Sequence, residues 1–166
     1  MTDALTLDQQ PGLDEGRVAA LRAARAVALA RHHASPAELE LDDEERSAVL
    51  LLSFEPPHAR SIAAWDDHQQ TTEWAAEAIA LEIVHATRGM ATVRRAARGT
   101  RFDWYIGVPG TDLEDAVALE VGGTDRRRAE VVLAQKLRQL RQRAAGRPGL
   151  AVAVQMSTPR AMLRGA

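Results

Sequence analysis

The stretch RFDWYIGVPGTDLEDAVALEVGG, residues 101–123, decides how this chain is read. Arg101-Phe102-Asp103-Trp104-Tyr105-Ile106-Gly107 has the composition of a β-strand, Pro109-Gly110-Thr111-Asp112 reads as a turn, and Ala116-Val117-Ala118-Leu119-Glu120-Val121 reads as the next strand, ended by Gly122-Gly123. Each strand carries a carboxylate inside an apolar run: Asp103 between Phe102 and Trp104, Glu120 between Leu119 and Val121. An unpaired carboxylate in such a place is expensive to desolvate, so each calls for a cation or a strong hydrogen-bond partner. Two carboxylates on adjacent strands can share a divalent ion. Mg²⁺ takes one or two carboxylates and completes its octahedron with water and substrate phosphate. Taken alone, either acid also reads as facing solvent or pairing with one of the many arginines.

Outward from this stretch the pattern is consistent. Upstream, Ala91-Thr92-Val93-Arg94 is a short strand, and Asp66 to Thr87 is helical. Asp67 is placed to cap that helix, Gln70 holds the capping-box position, Ala76, Ile79, Ala80, Ile83 and Val84 make one apolar face, and Gly89 is the stop. Downstream, Asp125 is expected to cap a helix reaching about Ala145, with Ala129, Val132, Leu133, Leu137 and Leu140 as its stripe. Leu150 to Met156 is nearly all apolar, as in a strand buried on both faces, and a right-handed crossover would set it parallel to an earlier strand. From Asp66 the order is helix, strand, strand, strand, helix, strand, which makes an α/β sheet flanked by helices. Nearer the N-terminus, Gly16 to His33 is helical, its stripe interrupted by Arg25. Glu38 to Leu41 and Ser47 to Phe54 read as a β-hairpin or as strands added to the sheet. Residues 1–15 and 157–166 read as flexible tails around a single domain, 16–156.

The composition sets the bounds. A chain of 166 residues is the size of one domain, and 46% hydrophobic with 27% charged residues is a globular balance. Lys and Arg total 21 against 23 Asp and Glu, for a net charge of −2, which argues against a general nucleic-acid coat protein while leaving room for a local basic face. There is no cysteine, so disulfide scaffolds, thiolate zinc sites and cysteine nucleophiles are excluded. No apolar run approaches the ~18 residues of a membrane span, and MTDALTLDQQ has neither signal nor transit character; the expectation is a cytoplasmic protein.

The element order and the two acids resemble the core of the restriction-endonuclease-like superfamily, the PD-(D/E)XK nucleases, over residues 66–156. The resemblance implies a mixed sheet flanked by helices, extended here by the N-terminal helix and hairpin. It implies Mg²⁺ or Mn²⁺ held by Asp103 and Glu120, with the Val121 carbonyl as a further ligand. It implies an assisting acid from the first core helix, Glu77 or else Glu73, and a lysine that steadies the nucleophile and the developing charge. That lysine usually follows the second acid by two residues, where this chain has Gly122. Some members supply it from the following helix, and the single lysine of this chain, Lys136, lies there beside Gln135. Lys136 also reads as a stem snorkelling to solvent. The implied activity is hydrolysis of DNA rather than RNA, in restriction, repair or defence, with a protein partner supplying specificity. The broken motif leaves a second reading open, a catalytically inactive relative acting as a protein-interaction or assembly module.

Arginines supply the candidate nucleic-acid contacts. Arg126, Arg127 and Arg128 open the second core helix, with Arg138, Arg141, Arg143 and Arg147 further along, and Arg94, Arg95, Arg98 and Arg101 precede Asp103. If both clusters border one cleft, a nucleic-acid substrate follows; otherwise they form solvated faces. Arg101, Arg126, Arg127 and Arg128 are the residues singled out for DNA. The histidines His32, His33, His58, His68 and His85 lack ligand spacing and read as surface or core-edge residues. Trp104 and Tyr105 read as core. The apolar face of the N-terminal helix covers the sheet or meets a partner, with a homodimer as the simplest case.

Overall fold

A computed structural model of the chain describes residues 7–100 and 102–166. The first helix, α1 (Glu15–Ala30), is capped by Asp14, whose carboxylate accepts the Arg17 amide at 2.7 Å. A hairpin follows, β1 (Ala37–Asp43) and β2 (Ser47–Leu52). The short helix α2 (Ala59–Ala64), capped by His58, has no apolar stripe to announce it in the sequence. In α3 (His68–Arg88) the Asp67 carboxylate accepts the Gln70 amide at 3.0 Å, and Gly89 closes the helix in the left-handed region at φ 62°. After it come β3 (Ala91–Arg95), β4 (Trp104–Gly107), β5 (Val117–Thr124), α4 (Ala129–Arg143), β6 (Gly149–Gln155) and β7 (Arg160–Gly165).

The strands form one seven-stranded mixed sheet in the order β2-β1-β7-β6-β5-β4-β3. β3, β4 and β5 run as an antiparallel meander, β6 lies parallel to β5 across α4, and β7 folds back antiparallel on β6. The hairpin joins this sheet, with β1 parallel to β7. The α/β class and the helix, strand, strand, strand, helix, strand order from α3 to β6 are therefore as read from the sequence.

Two cores lie on the two faces. Leu119 and Val121 of β5 and Val152 and Val154 of β6 point to the side of α1 and α3. Ala118, Ala151 and Ala153 alternate with them and pack under Val132, Leu133 and Leu140 of α4. α3 is buried all round from Ala75 to Val84, since α1 packs on its outer side. The α1 face left open between sheet and partner is thus covered within the chain, which removes the homodimer argument built on it. Arg25, the break in the α1 stripe, is buried and pairs with Glu82 of α3.

Several expectations are corrected. Leu7 and Gln10 of the supposed N-terminal tail are buried: the Gln10 side-chain amide donates to the Leu81 carbonyl at 3.2 Å and accepts the Thr92 amide at 2.9 Å. Residues 1–6 of that tail lie outside the described residues. The supposed C-terminal tail, 157–166, contains β7, an interior strand of the sheet with Ala161 and Leu163 in the core. Its arginines hid it: Arg164 pairs with Asp42 of β1, and Arg160 lies between Glu130 of α4 and Asp42. Asp125 does not cap α4, which begins at Ala129. Its carboxylate instead meets His32 at 2.6 Å. No helix among the described residues is long and apolar enough to cross a membrane.

Candidate functional site

β5 positions the first acid. The pleat that sends Leu119 and Val121 toward α3 sends Glu120 toward α4, where it is only 4% exposed. Asp103 reaches the same place from the other strand. It sits just before β4 rather than inside it. Its amide donates to the Leu119 carbonyl at 2.9 Å although Trp104 is already the partner of Leu119. Two residues facing one is the arrangement of a β-bulge, which re-aims a side chain. The re-aimed carboxylate accepts the Val121 amide through Oδ2 at 2.8 Å. Asp103, Glu120 and Val121, the expected metal set, are therefore brought together. The Val121 carbonyl leaves the strand on the same side as its amide, toward Asp103.

Lys136 completes the cluster from α4. Its ammonium donates to Glu120 Oε1 at 2.7 Å, so it turns to the acids and not to solvent. Gly122 explains why the lysine stands here. A Cβ on Gly122 would run into Val132 Cγ1 and lie 3.0 Å from Lys136 Cγ and 3.2 Å from Lys136 Cε. The lysine stem fills the space that a side chain at position 122 would use. Gly123 serves the opposite face, where a Cβ would lie 2.7 Å from the Cβ of Ala76 and from the Thr72 carbonyl. β5 consequently continues through both glycines, which were expected to end it.

The electrostatics follow from burial. Desolvation, then the neighbouring Asp103 charge, push the Glu120 pKa above the usual carboxylate range, and Lys136 only partly opposes them. Glu120 Oε2 is buried without a hydrogen-bond partner among the described residues. Two acids, one carrying an orphaned oxygen, fit a divalent cation, which would supply the missing partner. Among the described residues no three His, Asp or Glu side chains converge as a metal-holding group. The donors are two carboxylates and a carbonyl, the sparse set that suits Mg²⁺ with water and phosphate.

Glu77 has other partners. Its Oε1 accepts hydrogen bonds from the Arg95 guanidinium and from the Trp104 indole N–H. The Arg95 guanidinium also lies 5.0 Å from the Trp104 ring centroid. Glu73 is exposed and accepts from Gln69 one turn away, at 3.2 Å. Trp104 is buried, as expected of a core residue.

Two clefts meet at the acids. One, about 460 Å³, brings Arg95, Arg98 and Arg143 beside Asp103, Glu120 and Lys136. The other, about 680 Å³, brings Arg127, Trp74 and His68 beside Asp103 and Lys136. Both arginine clusters thus border the site, though largely through different members from those singled out. Arg126 stays within 3.6 Å of Asp125 and Arg128 within 3.5 Å of Glu130, both outside α4 proper. Arg101 lies outside the described residues. His33 meets the Met156 carbonyl at 2.8 Å and His85 meets Gln9 at 2.7 Å, whereas His68 lines the larger cleft.

The chain matches no protein-family model, no curated protein and no solved structure. Sequence reasoning had placed Arg95 and Arg143 within arginine clusters without separating them from their neighbours. The signal that separates them is long-range, the approach of β3 and of the end of α4 to Asp103, and it has no local trace.

Proposed function

We propose that the chain is a metal-dependent nuclease with a restriction-endonuclease-like core, hydrolysing DNA phosphodiester bonds at the cluster of Asp103, Glu120 and Lys136. The observation that carries this reading is the meeting of two acids, Glu120 of β5 and Asp103 just before β4, the former with a buried, unpartnered oxygen and bonded to the single lysine of the chain. The run of elements from α3 to β6 and the arginines at both clefts support it.

Asp103, Glu120 and the Val121 carbonyl would hold Mg²⁺ or Mn²⁺, which polarises a phosphate and lowers the pKa of water. Lys136 presents a compact cation where negative charge grows on the phosphoryl oxygens. Asp103 is oriented by the Val121 amide, so its carboxylate needs little rearrangement when substrate arrives. In the reaction a water gives up a proton as its oxygen forms a new bond to phosphorus, one P–O ester bond breaks, and the departing oxygen takes a proton.

The test is cleavage of supercoiled, linear and single-stranded DNA with Mg²⁺ or Mn²⁺. Wild type should cut, EDTA should stop it, and Asp103→Asn should reduce cutting to background. A wild type that cuts none of these substrates, or an Asp103→Asn protein that cuts as well, overturns the nuclease reading in favour of an inactive assembly module.

A further inference from the structure

We propose that Arg95 is the phosphate-anchoring residue of this site, and that Glu77 acts through Arg95 as a positioning residue, not as a metal ligand. The inference rests on the nuclease reading and assigns the residue that holds its substrate.

The backbone sets the position first. Arg95 is the last residue of β3 and pairs with Trp104, next to Asp103. The following amide, Ala96, donates to the Asp103 carbonyl at 3.0 Å, so the two segments are pinned together. A register shift between Thr92 and Arg94 turns the end of β3.

The side chain is then held from two directions. Glu77 takes one guanidinium N–H, and the Trp104 ring lies against the guanidinium. Trp104 donates to the same Glu77 oxygen, so Glu77 is itself fixed by the core. A guanidinium carries five donors in a rigid fork. Glu77 is the only hydrogen-bond partner of the Arg95 side chain among the described residues, so most of that fork is uncommitted. The Arg95 side chain is 46% exposed against 9% for Glu77, so the acid is buried and the cation faces outward. A purely structural pair in this protein looks different: Arg25 and Glu82 are both buried.

Arg95 borders both clefts, as do Asp103 and Lys136. A pre-oriented, half-exposed guanidinium beside two carboxylates is built for an anion that the carboxylates alone would repel. A phosphodiester is such an anion, and the fork matches two of its oxygens. Glu77 already accepts two donors on one oxygen, and its contribution is to fix the direction of the fork.

The experiment is paired: steady-state cleavage of a short DNA duplex in Mg²⁺, and binding of the same fluorescent duplex by anisotropy across a salt series. Arg95→Gln should raise KM and Kd about tenfold, the scale of one charged hydrogen bond, with a smaller effect on kcat. Its plot of log affinity against log salt should lose about one unit of slope, as for a lost phosphate contact. Arg95→Lys should recover part of the affinity and all of the slope, because the charge is kept and the fork is lost. Glu77→Gln should move KM in the same direction, and the double variant should be no worse than Arg95→Gln alone. Wild-type KM, Kd and slope in Arg95→Gln overturn the proposal. So does a Glu77→Gln protein that loses Mn²⁺ affinity with KM unchanged. If wild type binds the duplex without cutting it, the nuclease reading fails while the salt slope still decides Arg95. If wild type neither cuts nor binds, both fail.

Discussion

Glu82 on α3 and Glu120 on β5 look alike at first. Each is buried, each is bonded to one cation, each keeps an Oε2 with no hydrogen-bond partner, and desolvation raises the pKa of each. Their surroundings separate them. Arg25 beside Glu82 is also buried and is tied to the Ser53 carbonyl, at 3.1 Å, and no second acid raises the Glu82 pKa. Glu120 has Asp103 next to it, its lysine is 23% exposed, and the pair opens onto a cleft. A lone buried acid with a buried arginine fastens two helices. Two adjacent acids at an opening make a repulsion that a proton or a further cation relieves. On the proposed reading, the first place serves stability and the second function.

The sharpest way to break this comparison is to neutralise one acid at each place. Asp103→Asn should bring DNA cleavage to background, whereas Glu82→Gln, assayed below its melting temperature, should turn over like wild type. Equal losses in both would erase the distinction. On the stability side, Arg25→Ala leaves a buried charge uncompensated and should cost roughly 3–5 kcal/mol in denaturant unfolding. Replacing the pair together, Arg25→Met with Glu82→Leu, should regain most of that loss. Lys136→Ala should lower kcat by about 10²–10³-fold, the scale of one lost charge-stabilising donor. Gly122→Ala should also lower kcat, because the new methyl meets Val132 and the Lys136 stem.

The smallest effect has the most specific sign. The Glu120 pKa is raised in the folded state, chiefly by desolvation and then by Asp103. Ionisation therefore opposes folding: stability is highest below the ordinary glutamate pKa and falls as pH rises through the folded value. Glu120→Gln should have a higher Tm than wild type at pH 7 and no advantage near pH 4, while losing activity. Mn²⁺ favours the ionised acid, so it should raise the wild-type Tm more at pH 7 than at pH 5 and leave Glu120→Gln nearly unmoved.

Much of this was legible in the chain because the signals are local. Asp67, Gln70 and Gly89 mark the ends of α3 within a few residues of where they act, and the alternating apolar runs mark β5 and β6. Asp103, Glu120 and Lys136 stood out because each breaks a local pattern. β7 was missed because its apolar core is only Ala161-Met162-Leu163 between arginines, and those arginines are matched by Glu130 and Asp42, distant in sequence. Gln10 was missed for the same reason: its partners are Leu81 and Thr92. The Asp125 cap failed because a tertiary partner, His32, took the carboxylate that local spacing assigned to the helix. Glu77 was read as an assisting acid of the first core helix; its attachment to Arg95 and Trp104 exists only once β3 and β4 lie against α3.

The central claim is that Asp103 and Glu120 together hold a divalent cation, and calorimetric titration of the intact protein with Mn²⁺ at pH 7 tests it most directly. Wild type should bind, and Asp103→Asn and Glu120→Gln should each lose at least about tenfold in affinity, with Glu82→Gln unchanged. A wild type that takes up no Mn²⁺, or site variants that bind it as tightly as wild type, would contradict the account.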